Sequence, residues 1–164
     1  MRKTSPHRCR ARVALLALCA SLACAAVAAE GRFTLISPDE HAEALAGPAP
    51  EDAGLRPKGA PGAPGIVVRA PDTASGSIAS PVDIELGFEA EGDATIDMDT
   101  LRIYYVLLFK KDVTARILEH ADVGPDFIRA EGAELPAGNH AFVVEIGDSA
   151  GRTSRERFEI TVEG

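Results

Sequence analysis

From residue 66 to the C-terminus the chain is built of short runs that alternate apolar and polar side chains, with turn residues between them every ten residues or so. A period of two belongs to strands with one buried face, and several short strands at this spacing belong to a two-sheet sandwich. Val82–Glu89 shows the period most plainly. Val82, Ile84, Leu86 and Phe88 fall on one side, while Asp83, Glu85 and Glu89 fall on the other. Gly87 sits on the polar side, which predicts a bulge or a close approach by another part of the chain. Ile66–Ala70, Leu101–Phe109, Phe127–Ala130, His140–Gly147 and Arg155–Val162 read as further strands, the last two joined as a hairpin. With no long crossover helices between them, the strands predict an all-β, antiparallel sandwich.

Leu101–Phe109 is apolar on both faces. Leu101, Ile103, Tyr105, Leu107 and Phe109 form one face. Tyr104, Val106 and Leu108 form the other, and left uncovered they would make an interaction patch. The next segment supplies a cover. Asp112 suits a helix cap, and Val113, Ile117, Leu118 and Ala121 follow at helical spacing. A short helix here is the preferred reading; a strand with Val113, Ala115 and Ile117 inward is the alternative.

The N-terminal part has a different character. Arg2, Lys3, Arg8, Arg10 and Arg12 precede an uncharged, alanine-rich run from Val13 to Ala29 that ends in small residues. A basic region, an apolar region and a small-x-small end make a secretory signal, so residues 1–29 are read as a signal peptide. A short membrane anchor, or a lipid anchor through Cys24, are the competing readings. Cys9, Cys19 and Cys24 all lie in this segment, so a cut near residue 29 leaves a chain without thiols or disulfides, held by its core alone. The expected location is the periplasm or the exterior, with no membrane insertion after cleavage.

Residues 30–46 read as a short extended and helical stretch. Ser37-Pro38-Asp39-Glu40 is a helix start, with Ser37 capping, Pro38 at the first helical position and Glu40 closing a capping box. Residues 47–65 are a linker in which ten of 19 residues are proline or glycine. Residues 66–164 hold the sandwich.

Charge narrows the partners. The full chain carries −8 at pH 7, and removing the signal discards five of its 17 basic residues and none of its 25 acidic ones, giving −13. Such a surface repels phosphate backbones and anionic lipid headgroups, which argues against nucleic acid.

The C-terminal half carries a resemblance. Leu135-Pro136-Ala137-Gly138-Asn139-His140, an alternating strand, Asp148-Ser149-Ala150-Gly151-Arg152 and a last strand resemble the end of bacterial immunoglobulin-like domains, with Arg152 where asparagine is common. Pro81–Phe88 and Ile96–Leu101 look like the front of the same fold. The resemblance covers residues 64–164 and implies an immunoglobulin-like or fibronectin III-like sandwich of an adhesive, spacer or accessory kind, usually without catalysis. The motif has physical reasons as well. Gly138 and Gly151 can adopt positive φ, and Asp97 and Asp148 can accept backbone N–H groups in their turns.

Candidate chemistry is sparse. His41, His120 and His140 show no metal-ligand spacing, and His140 reads as a core-edge histidine bonded to a nearby loop. Ser149, His140 and Asp148 contain the residue types of a catalytic triad but no nucleophile elbow. Asp93, Asp97 and Asp99 lie within seven residues in a loop at a strand end, where carboxylates could converge on Ca²⁺, though not at EF-hand spacing. A copper site of the Met and His kind lacks donors, because Met98 is the one methionine beyond the signal. No cofactor is expected. The function expected is therefore a non-catalytic envelope module for protein–protein interaction or spacing, its partner another envelope protein. Binding of a small ligand, Ca²⁺ or a carbohydrate, is the alternative, and an enzyme ranks third.

Overall fold

The structure, a computed structural model, describes residues 31–46, 58–72, 76–106 and 110–164. The predicted signal with Cys24, most of the linker, and Leu107, Leu108 and Phe109 lie outside the described residues. The elements run β1 (Phe33–Thr34), α1 (Pro38–Ala46), β2 (Lys58–Gly59), β3 (Gly65–Ala70), β4 (Ser77–Ile78), β5 (Val82–Glu89), β6 (Ile96–Val106), β7 (Lys110–Asp112), α2 (Thr114–Leu118), β8 (Ala121–Val123), β9 (Phe127–Glu134), β10 (Gly138–Asp148) and β11 (Thr153–Val162). Among the described residues they form two sheets. One is ordered β1-β9-β5-β3, with β8 also on β9; the other is ordered β2-β11-β10-β6-β7, with β4 also on β11. The long ladders are antiparallel, and the two-residue strands β1 and β4 add short parallel ones.

One apolar cluster lies between the sheets. β5 contributes Val82, Ile84, Leu86 and Phe88, β6 contributes Leu101, Ile103 and Tyr105, and β10 contributes Phe142, Val144 and Ile146. The alternation read from β5 is thus the alternation that is buried. Gly87 makes room for a side chain: a Cβ there would lie 2.7 Å from the guanidinium carbon of Arg69, which crosses the strand toward Glu85.

Three expectations change. Of the segment 30–46, read as separate from the sandwich, the described residues are built into it: β1 pairs with β9, and Phe33, Leu35, Ile36 and Ala44 join the core. The capping box forms as read, with Ser37 N–H donating to Glu40 Oε2 at 2.9 Å and Glu40 N–H donating to Ser37 Oγ at 3.2 Å. The helix after the third strand exists but lies elsewhere. α2 packs Val113 and Ile117 into the core and joins β7 of one sheet to β8 of the other, so it does not cover the second face of β6. Thr114 explains its place: Ile103 N–H donates to Thr114 Oγ1 at 2.8 Å and Val113 N–H to the Ile103 carbonyl at 2.9 Å, extending the ladder of β6 into the helix. Finally, β6 begins at Ile96, so Asp97 and Asp99 belong to a strand and not to a loop.

Candidate functional site: a sheet face and a buried histidine–tyrosine chain

Along β6 and β10, Tyr104 faces Val143 across the ladder, and Val143 faces Arg157 on β11. Side chains directly opposite share a face, so these residues lie on the outer face of the six-stranded sheet. Val106 and Val143 are buried there, and Tyr104 packs against them half-buried. The Lys110 ammonium stands 3.4 Å from the Tyr104 ring centre, a cation–π contact. Glu145 then binds Lys110 at 3.2 Å and Arg155 at 2.7 Å, and Arg102 lies opposite it in register. The predicted patch residues Tyr104 and Val106 are thus brought together, with Val143 added, inside a rim of cations; Leu108 lies outside the described residues. Beside Glu145, a polar hollow of about 130 Å³ is lined by Thr100, Thr153, Ser154 and Arg155.

The aspartates are occupied locally. Asp97 Oδ1 accepts the Asp99 N–H at 3.2 Å, an Asx turn. Thr100 Oγ1 donates to the Asp97 carbonyl at 2.6 Å and accepts the Gly147 N–H at 2.7 Å, which fixes the bulge opposite Glu145–Gly147. Asp93 stands in the preceding turn. Among the described residues no three carboxylates or histidines converge as a metal site. Asp148 caps its hairpin as read, accepting the N–H groups of Ala150 at 3.0 Å and Arg152 at 2.9 Å and the Arg152 Nε–H at 2.7 Å. Burial pushes its carboxyl up, but these donors outweigh it and hold it below its ordinary value. Ser149 Oγ accepts the Thr95 N–H at 3.0 Å. His140 sits at the other end of β10, about 26 Å from Asp148 at ~3.3 Å per strand residue, so the three do not meet.

The histidines form the chain that sequence reasoning missed. His41 on α1, Tyr105 on β6 and His140 on β10 are all buried. His41 Nδ1 lies 2.7 Å from Tyr105 Oη, Tyr105 Oη lies 3.1 Å from His140 Nδ1, and His140 Nε2 lies 2.8 Å from the Pro136 carbonyl, the loop bond expected of it. A carbonyl only accepts, so His140 Nε2 carries that ring's proton and its Nδ1 is a lone pair. Tyr105 therefore donates to His140, and His41 Nδ1–H donates to Tyr105. His41 Nε2 is left without a proton, facing Gly138, where an added Cβ would lie 2.8 Å from it. Burial lowers the proton affinity of both imidazoles, and His41 lowers that of His140 further. Burial, then the Glu40 charge, raises the Tyr105 hydroxyl. Glu40 is held well below its usual range by Arg116 and by Lys111. Its Oε2 accepts from Arg116 at 3.0 Å, and its Oε1 pairs with Lys111. His120 stands apart, stacked 4.3 Å from Phe33.

The fold places the chain among all-β sandwich proteins. No family model matches it, and no curated protein matches it. Among solved structures it is similar to CopC from Methylosinus trichosporium OB3b, with a TM-score of 0.36 and 18% identity over 54% of this chain and 82% of CopC. Among the described residues no helix is long and apolar enough to cross a membrane.

Proposed function

We propose that the chain is an exported, non-catalytic immunoglobulin-like module of the cell envelope that binds another envelope protein through the outer face of its six-stranded sheet. The strand order supports the immunoglobulin-like type: β3, β5 and β9 share one sheet, and β6, β7, β10 and β11 share the other, the partition of a fibronectin III-like sandwich. The observation that carries the interaction reading is the face itself. On an acidic protein, Tyr104 over Val106 and Val143 is surrounded by Arg102, Lys110, Arg155 and Arg157, four cations against the two carboxylates they bind, Glu145 on Lys110 and Arg155 and Glu159 on Arg157. An aromatic and arginine-rich centre is the composition that carries binding energy at protein interfaces. The opposite face presents Asp83, Glu89, Asp122 and Glu131 to solvent, with Glu85 paired to Arg69 and Arg129. The partner is therefore expected to meet the first face with carboxylates.

A photo-crosslinker placed at Arg157 in the cell envelope tests this. Adducts from position 157, weakened by salt and absent from a crosslinker at Glu89, are expected. Equal adducts from both faces, or none from 157, overturn the reading. Thermal unfolding with Ca²⁺ or oligosaccharides separates the small-ligand alternative. A ligand at 100 times its Kd adds about 2.7 kcal/mol, enough to raise the midpoint by several degrees.

A further inference from the structure

The chain His41–Tyr105–His140 ties a nine-residue helix to the eleven-residue strands β6 and β10, and it has room for one added proton but not for two. We propose that it is an acid-sensitive clasp: proton uptake by the two histidines releases α1 from the sandwich while the sheets stay folded.

The first proton has a place. It enters at His41 Nε2, the nitrogen that makes no bond within the chain, and leaves every other hydrogen bond as it was. The second has none. A proton on His140 Nδ1 puts N–H donors on both sides of Tyr105 Oη, and the hydroxyl hydrogen then has no acceptor in a site where Tyr105 is fully buried. Two cationic rings would also stand with centres 4.5 Å apart. Among the described residues nothing packed around the pair offsets this. Glu40 of α1 is the adjacent carboxylate, but Arg116 of α2 and Lys111 of β7 already bind it. Asp39 and Glu43, also on α1, are exposed. The 135–138 loop presents only the Pro136 carbonyl, which His140 already uses. His41 also lies near the helix N-terminus, where a positive charge is disfavoured.

Separation is the available relief. Once α1 lifts, His41 meets water and both rings can charge. The pivot is at Ser37, because Leu35 and Ile36 just before it are anchored in the core and bonded to Glu134. The helix itself buries only Ala44 and His41, is held besides by the pairing of Glu40 with Lys111 and Arg116, and leaves Leu45 exposed at 59%.

Hydrogen exchange of the full chain, followed residue by residue by NMR at pH 7.5 and pH 5.0 and corrected for intrinsic rates, tests the clasp. Histidines that charge freely only when α1 is open shift its opening by about tenfold or more over this range. The expected result is that loss of protection in α1, through openings far more frequent at both pH values than those that expose β10. Protection of α1 that does not change, or that equals the protection of β10 at both pH values, overturns the proposal. His41→Asn keeps a donor near the Nδ1 position without a titrating ring, and is expected to flatten the pH dependence. Should α1 be unprotected in that variant at both pH values, the ring ¹⁵N shifts of the unsubstituted protein decide. His41 as the Nδ1–H tautomer, His140 as the Nε2–H tautomer, and midpoints below 6.5 sustain the clasp; ordinary midpoints overturn it.

Discussion

Tyr105 is the residue on which the interior's polar order depends. Its ring packs in the core beside Phe142, 5.4 Å between centres, while its hydroxyl both accepts from His41 and donates to His140. Tyr105→Phe keeps the packing and removes both bonds. It leaves a buried N–H on His41 without an acceptor and a lone pair on His140 without a donor. Unsatisfied buried groups cost about 1–3 kcal/mol each, so the substitution is expected to destabilise by about 2–4 kcal/mol. Urea unfolding checks this: the midpoint should fall with an unchanged slope, and an unaltered midpoint would show that the chain contributes nothing to stability. Gly138 belongs to the same site, because its φ of +132° and the 2.8 Å space beneath His41 both exclude a side chain.

At the scale of elements, α1 shows how local signals and tertiary contacts combine. Nine residues with a narrow apolar side are marginal as an isolated helix. The capping box satisfies two of its N-terminal groups, and the same Glu40 reaches Lys111 on β7 and Arg116 on α2. Glu40 thus starts the helix and docks it. Ser37→Ala removes the acceptor for the Glu40 N–H and is expected to cost about 1 kcal/mol, read as a lower urea midpoint. The loss should appear first as lower exchange protection in α1, since β10 lies between two long partner strands. α2 makes the complementary point. Its helical spacing was legible, but which surface that spacing would cover was not, because the Thr114 contact with β6 is made between residues 11 apart in different elements.

For the whole molecule, the buried imidazoles set a sign for the dependence of stability on pH. Both have their proton affinity lowered by burial from the ordinary value of 6.5. Just below that value the unfolded chain binds more protons than the folded one, so acid favours unfolding. Their contribution is complete above pH 6.5 and is lost as the pH falls below it. The carboxyls of Glu40 and Asp148 are lowered from 4.5 and 3.8, so their contribution holds above those values and is lost only in stronger acid. The thermal midpoint is expected to be level from pH 8 to 7 and to drop between pH 6.5 and 5, before the carboxylates protonate. A midpoint that is flat or rising over that interval would contradict the assignment of neutral, buried histidines.

The strands were determined locally. In β5 and in the β10–β11 hairpin, alternation, turn glycines and the Asp148 cap act over a few residues, and each can be read without knowing the fold. The capping box of α1 is local in the same way. What only the tertiary structure decided depends on pairs far apart in sequence. His41 and Tyr105 are 64 residues apart, Tyr105 and His140 35 apart, and Lys111 and Glu40 71 apart. The three histidines carry no spacing signal because their partners come from different elements. The segment 30–46 looked separate for a similar reason: its few apolar residues cannot form a core alone, but Phe33, Leu35, Ile36 and Ala44 complete one that the two sheets supply. Period and capping are properties of neighbours along the chain, whereas burial and proton position are properties of neighbours in space.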